Sequence, residues 1–338
     1  MRDAITAGGH RAAASRRPFT STSGRTVALP VHFVATVMAD DDPNVQWRSV
    51  ISQPVDITPF RPLSSTASVQ VAALSVCGKL RPHNTDHYLA IRLGRMQETI
   101  TSSLGTADLP PRFEEFGYAL LVADGLGDRG SGARASRIAL SALAHLAIRY
   151  GRWNVRVDSE SIAEITEHGA FLYRRVHDAL LEASRADDRL ADMATSLTAM
   201  YIAGADLFFA NVGHSKGFLF RDGGLFQLTT DHTTEQQRLP ISAPSGADSR
   251  RDFAHVVTKV VGGDADLDVA IEHVDLLTGD RLVLCTNGLT DAVGLNDIAG
   301  TLALKRRPED DCQRLIEMAT AARSADDVTV MVADYQQG

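Results

Sequence analysis

From Ala67 onward the chain alternates apolar and polar positions, with Val69, Val71, Leu74 and Val76 close to a period of two. That spacing predicts a half-buried strand ending near Lys79. A second short strand is predicted from Tyr88 to Leu93, and the continuous apolar run from Tyr118 to Val122 suits a buried strand. Between them, 94–116 carries Gly, Ser, Thr and a Pro-Pro pair at 110 and 111, the composition of a long loop. The period then changes. Ile138, Leu143, Leu146 and Tyr150 share one helical face, and Ile162, Ile165, Leu172, Val176 and Leu180 share another. Further strands are predicted at 195–203, 206–212, 216–220, 225–229, 256–261, 281–286 and 328–333. The turns Gly204-Ala205 and Asp222-Gly223-Gly224 are short enough that the strands they join must be antiparallel. A last helix, from about Glu309 to Ala322, follows Pro308 and opens with Glu309, Asp310 and Asp311, where the helix dipole favours negative charge. Antiparallel sheets with helices laid on their outer faces make an α+β fold.

Before Ala67 this patterning lapses. Residues 1–66 mix Arg, Ser, Thr, Gly and Pro with the acidic run Asp40, Asp41, Asp42, and offer one weak apolar stretch from Val27 to Val37. They are expected to form a mobile N-terminal extension to a domain spanning 67–336. With 338 residues, 44% of them hydrophobic, the chain has ample material for a large core. A formal net charge of -8 weighs against non-specific binding to nucleic acid or to an anionic membrane surface. Three widely spaced cysteines, Cys77, Cys285 and Cys312, suggest neither a disulfide framework nor a zinc site, and fit a reducing compartment. No apolar run approaches the roughly 18 to 20 residues of a membrane span. The first 26 residues contain Asp3 and no apolar signal core, so neither a signal peptide nor an anchor is expected and the expected location is the cytoplasm.

Four acid-bearing stretches fall at the ends of predicted strands: Arg81 to Asp86, Val122 to Gly127, Cys285 to Asp291, and Ser324 to Thr329. Carboxylates converging on one rim of a sheet are what hard, oxygen-loving cations such as Mg2+ and Mn2+ require. An Asp-Gly step lets a backbone carbonyl approach such a cation, and an arginine grips phosphate through two parallel bonds. The constellation suits phosphoryl transfer to water.

In these stretches and their order, residues 67–335 resemble the metal-dependent protein phosphatase family (PPM, protein phosphatase 2C type), in its bacterial form. The likeness rests on Arg81 with Asn84-Thr85-Asp86, on Asp124-Gly125-Leu126-Gly127, on Thr195-Ser196-Leu197-Thr198, on Asn211-Val212-Gly213-His214-Ser215, on Leu228-Thr229-Thr230-Asp231-His232, on Gly279-Asp280-Arg281-Leu282 running into Asn287-Gly288-Leu289-Thr290-Asp291, and on Asp326-Asp327-Val328-Thr329. The resemblance implies a four-layer αββα sandwich, two antiparallel sheets flanked by helices. It further implies two Mn2+ or Mg2+ ions, with Asp124 bridging them and the Gly125 carbonyl, Asp326, Asn287 and Asp86 as further ligands. Arg81 would hold the phosphate of a phosphoserine or phosphothreonine, and Asp86 would position a metal-activated water that attacks phosphorus in line. The implied partner is a phosphorylated protein, the product of a Ser/Thr kinase.

The sequence departs from the family pattern at the chemistry. Thr85 stands where an acidic residue is usual, Asn287 replaces the Asp of an Asp-Gly pair, His214 replaces the Asp of Gly-Asp-Ser, Asp128 replaces a glycine, and Asp327 replaces an Asn. By resemblance, Asn287 removes a direct metal ligand, and His214 with Asn287 removes two carboxylates that hold an additional ion in bacterial members. Asn287 reads as a weak ligand or a structural amide, and His214 as a turn histidine or a metal or acid–base group. Hence a second reading: a pseudophosphatase that binds phosphoproteins through Arg81 without turnover. Gly125 to Gly130 also fits the dinucleotide pattern GxGxxG, but the strand–turn–strand run from 195 to 230 excludes the parallel sheet that motif needs.

Overall fold

The computed structural model describes residues 67–105, 109, 112–127, 130–151, 157, 159–233, 257–263 and 266–338. The expectation of a mobile extension over 1–66 lies outside these residues. Sheet one contains β1 (Ala67–Val76), β7 (Lys216–Arg221), β8 (Gly224–Gln227), β10 (Arg281–Cys285) and β11 (Val328–Gln337), in the order β1-β11-β10-β7-β8. Sheet two runs β2 (Asp86–Gln97), β3 (Phe113–Leu126), β5 (Leu197–Ala203), β6 (Asp206–Val212), β9 (Glu272–Asp275), with the short β4 (Ala194–Thr195) paired to the end of β3. All of these pairings are antiparallel.

Alternation along the strands sorts their side chains into layers. On β3, Leu120 and Val122 point between the sheets, while Leu121 and Ala123 face helices α1 (Ser131–Tyr150) and α2 (Ser159–Ala186). On β10, Leu282 and Leu284 meet that same middle layer, while Val283 and Cys285 face the other way. There they pack with α4 (Leu295–Ala303) and α5 (Pro308–Ala321), which follow the single turn α3 (Asn287–Thr290). Three apolar layers between four sets of elements make the αββα sandwich, an α+β fold as expected.

Several boundaries differ from the sequence reading. The first strand stops at Val76 rather than near Lys79, because Lys79 and Leu80 instead bond back to the backbone at Ser324 and Ala325. The loop expected over 94–116 is shorter: β2 and β3 stay paired out to Gln97 and Phe113. Polar side chains disguise this extension. Arg95 pairs with Glu115 directly across the ladder, and the Arg92 guanidinium lies 4.6 Å from the centre of the Phe116 ring. The strand expected at 256–261 is reduced, over its described part, to isolated bridges Thr233–Val257 and Thr195–Val261. The strand Glu272–Asp275 and the helices from Asn287 to Ala303 were not foreseen.

Candidate metal centre

The four acid-bearing stretches meet at one end of the sandwich. In sheet two, Asp86 opens β2 directly opposite Asp124 on β3. In sheet one, β10 ends at Cys285, one residue before Thr286 and Asn287, and Asp326-Asp327 lead into β11. The β6–β7 turn brings His214 to the same rim, on Gly213 at φ 109°, where an added Cβ would lie 2.4 Å from the Ser196 Cβ.

One oxygen of Asp86 joins the sheets. Its Oδ2 accepts from Thr286 Oγ1, just past the end of β10, at 2.7 Å and from Thr329 Oγ1 on β11 at 2.8 Å. Its Oδ1 is buried and has no hydrogen-bond partner. Asp124, 3% exposed, has its backbone fixed by Thr195 Oγ1 and the Ser196 N–H, which donate to its carbonyl at 2.8 and 2.9 Å. Its carboxylate Oδ2 lies 3.6 Å from His214 Nε2. Gly125, next along, packs against the first turn of α1 so closely that a Cβ would lie 2.1 Å from the Gly132 carbonyl oxygen.

Arg81, in the loop between β1 and β2, donates from Nε to Asp326 Oδ1 at 2.7 Å. The loop is held by Asp327, 1% exposed, which accepts from the Gly78 N–H (2.8 Å), the Thr85 N–H (2.8 Å) and Thr85 Oγ1 (3.0 Å). Asn287 donates from Nδ2 to Asp291 at 3.1 Å, and its Oδ1 is buried without a partner. Thus Arg81, Asp86, Asp124, Gly125, Asn287 and Asp326 share one rim. Asp128 lies outside the described residues. His232 fixes a loop: its Nδ1 accepts from the Gly213 N–H at 3.2 Å.

Burial and repulsion between acids oppose ionisation of Asp86 and Asp124 at this rim. Burial pushes the Asp86 pKa up to about 7, against the two threonine hydrogen bonds, with Asp327 and Asp326 adding to the rise. Burial, then the charges of Asp86 and Asp326, hold Asp124 well above the ordinary carboxylate value. At Asp326 burial acts in the same direction but is outweighed by the Arg81 hydrogen bond and charge, so its pKa falls below the ordinary value. Burial, then Lys216, lowers the His214 pKa. A buried carboxylate oxygen of Asp86 and a buried amide oxygen of Asn287, both without partners, near two acids that resist ionising side by side, fit a hard divalent cation.

Three contributors went unrecognised in the sequence reading: Thr286 and Thr329 as the clamp on Asp86, and Asp327 as the anchor of the arginine loop. Their signal was a hydroxyl or acid flanking an otherwise apolar strand end. Among the described residues, the one group of three or more His, Cys, Asp or Glu whose ligand atoms all lie within 4.8 Å of one another is elsewhere, at the opposite end of β6: Asp206, His273 and Asp275. There His273 is already committed to Asp206 at 2.6 Å.

Comparison with known proteins points the same way. The family model described as Stage II sporulation protein E (SpoIIE) matches residues 115–336. The serine/threonine protein phosphatase PstP of Mycobacterium tuberculosis is 31% identical over 217 residues, 64% of this chain and 40% of PstP. The chain therefore spans well under half the length of that relative. The serine/threonine phosphatase stp of Listeria monocytogenes is 26% identical over 216 residues, 64% of this chain and 83% of stp. Among solved structures, the catalytic domain of PstP in complex with two manganese ions superposes with a TM-score of 0.60 at 27% identity, covering 80% of this chain and all of that domain.

Proposed function

We infer the function from one premise: this chain belongs to the Stage II sporulation protein E (SpoIIE) family and carries its protein phosphatase 2C-type (PPM) domain. On that basis it is a metal-dependent protein serine/threonine phosphatase that hydrolyses phosphoserine and phosphothreonine esters. The domain occupies residues 67–336, with 1–66 as an N-terminal extension. Its substrate is a phosphoprotein made by a Ser/Thr kinase, and it works in the cytoplasm. The relatives PstP and stp are named as serine/threonine phosphatases, and the PstP domain binds manganese.

The observation that carries the reading is the buried rim of Asp86 and Asp124 faced by an arginine that solvent can reach. Asp124, Gly125, Asp326, Asn287 and Asp86 would hold Mn2+ or Mg2+. Those ions, when bound, acidify water and neutralise charge on the phosphoryl group. The chain itself supplies the rest. Arg81 grips the phosphate from the open side and orients phosphorus toward the rim. Asp86 Oδ1, free of the threonine clamp, would orient a water toward phosphorus. Asp124, whose ionisation is opposed by burial, would be ionised by a cation held against it.

Hydrolysis of a phosphothreonine peptide across Mn2+ concentrations, in wild type and Asp124→Asn, tests this. Turnover that needs Mn2+ and is lost in the variant is expected. Phosphopeptide binding without turnover, indifferent to metal, would instead establish the pseudophosphatase.

A further inference from the structure

The rim presents a nitrogen among its oxygens. His214 is 7% exposed, and its Nδ1 is buried without a hydrogen-bond partner. Its Nε2 faces Asp124 Oδ2 at 3.6 Å, beyond hydrogen-bond range. A nitrogen and an oxygen donor bound to one ion at about 2.0–2.2 Å stand roughly 3.4 Å apart at a tetrahedral angle. The observed separation is close to that of two ligands of a shared ion. Asn287 Oδ1, on the same rim, is also buried and unpartnered.

We propose that His214 Nε2 is a metal ligand, sharing with Asp124 Oδ2 an ion position whose nitrogen donor selects a first-row transition ion over Mg2+. The inference rests on the phosphatase reading only in taking the rim to be a metal centre. Mg2+ takes oxygen ligands and gives up its waters reluctantly, whereas imidazole is a ligand of transition ions. An imidazole facing a carboxylate therefore makes a position different in kind from one walled by carboxylates alone.

The test is pulsed electron paramagnetic resonance on the full chain loaded with Mn2+, reading nitrogen-14 modulation of the metal signal. Wild type is expected to show modulation from a directly bound imidazole nitrogen. His214→Ala and His214→Asp are expected to lose it, while His214→Asp, which supplies an oxygen donor instead, still binds Mn2+ and so reports an intact fold. Competition calorimetry should show the Mn2+ over Mg2+ preference falling about tenfold or more in His214→Asp. Mn2+ bound to wild type without nitrogen modulation, modulation surviving in His214→Ala, or an unchanged preference would each overturn the proposal and leave the metal centre standing. Failure of wild type to bind Mn2+ at all would remove both.

Discussion

Arg81 Nε donates to Asp326 Oδ1 at 2.7 Å, so the residue assigned to grip phosphate is hydrogen-bonded to a residue assigned to hold metal. Both side chains are about a third exposed, at 37% and 28%. A pair this open is worth about 1 kcal/mol or less, and an arriving phosphate dianion can replace the carboxylate at little cost. Arg81→Ala is expected to lower kcat/KM for a phosphothreonine peptide about 10- to 100-fold, chiefly through KM, the loss of charged hydrogen bonds to the ester. Arg81→Lys should recover only part of it, since an ammonium cannot make the paired contact. Steady-state kinetics with both variants check this; an unchanged KM would remove Arg81 from the phosphate.

The raised pKa values of Asp86 and Asp124 make metal-free stability depend on pH. A carboxyl that holds its proton more tightly folded than unfolded stabilises the fold at low pH. That stability is lost as pH rises from the unfolded value near 4 through the folded value, about 7 for Asp86. For Asp86 alone the loss is on the order of 4 kcal/mol. Urea unfolding with chelator present should show stability declining from about pH 4 to pH 7, with Asp86→Asn flattening the decline. Adding Mn2+ should restore most stability above pH 7, where Asp86 is ionised and binds the ion.

Asp327 makes three hydrogen bonds to the loop bearing Arg81, all with buried groups. Asp327→Ala strands two backbone N–H groups and should cost about 3 kcal/mol of stability. It should also raise KM, because the loop is then free to carry Arg81 away from the rim. Asp327→Asn keeps one acceptor oxygen and should lose roughly half as much. Denaturation midpoints and KM for the two variants decide it; a KM that stays at the wild-type value would confine Asp327 to folding.

Two glycines should respond in opposite directions. In Gly125→Ala the new methyl lies 2.1 Å from the Gly132 carbonyl oxygen and 2.9 Å from that of Thr85, both backbone atoms. Either α1 or β3 must shift, with an expected loss of about 2 kcal/mol or more and weaker Mn2+ binding. Gly300, exposed on helix α4, has nothing within 4 Å of an added Cβ. Gly300→Ala should gain about 0.5–1 kcal/mol in thermal unfolding.

The rim was legible in the sequence because its acids sit where apolar strands end, and such ends are fixed by composition. The sandwich followed from tight turns that permit only antiparallel neighbours. What stayed hidden depended on partners across the ladder. Arg95 and Glu115 look like loop residues singly and become strand only as a facing pair. Composition and periodicity alone do not separate the roles of Asp326 and Asp327, which only the family resemblance told apart. Register sends one toward Arg81 and the other under the loop. The single turn at Asn287 is too short to carry a helical period.

Asp86 divides its carboxylate, with Oδ2 tying two sheets together through Thr286 and Thr329 and Oδ1 left bare toward the rim. An amide of identical shape has only one oxygen. Asparagine there must either satisfy the threonines and turn an NH2 toward the cations, or turn its oxygen to the cations and push an NH2 against two hydroxyls. The position therefore admits no isostere: architecture and chemistry are joined in a single side chain, and a substitution gentle enough to spare one must forfeit the other.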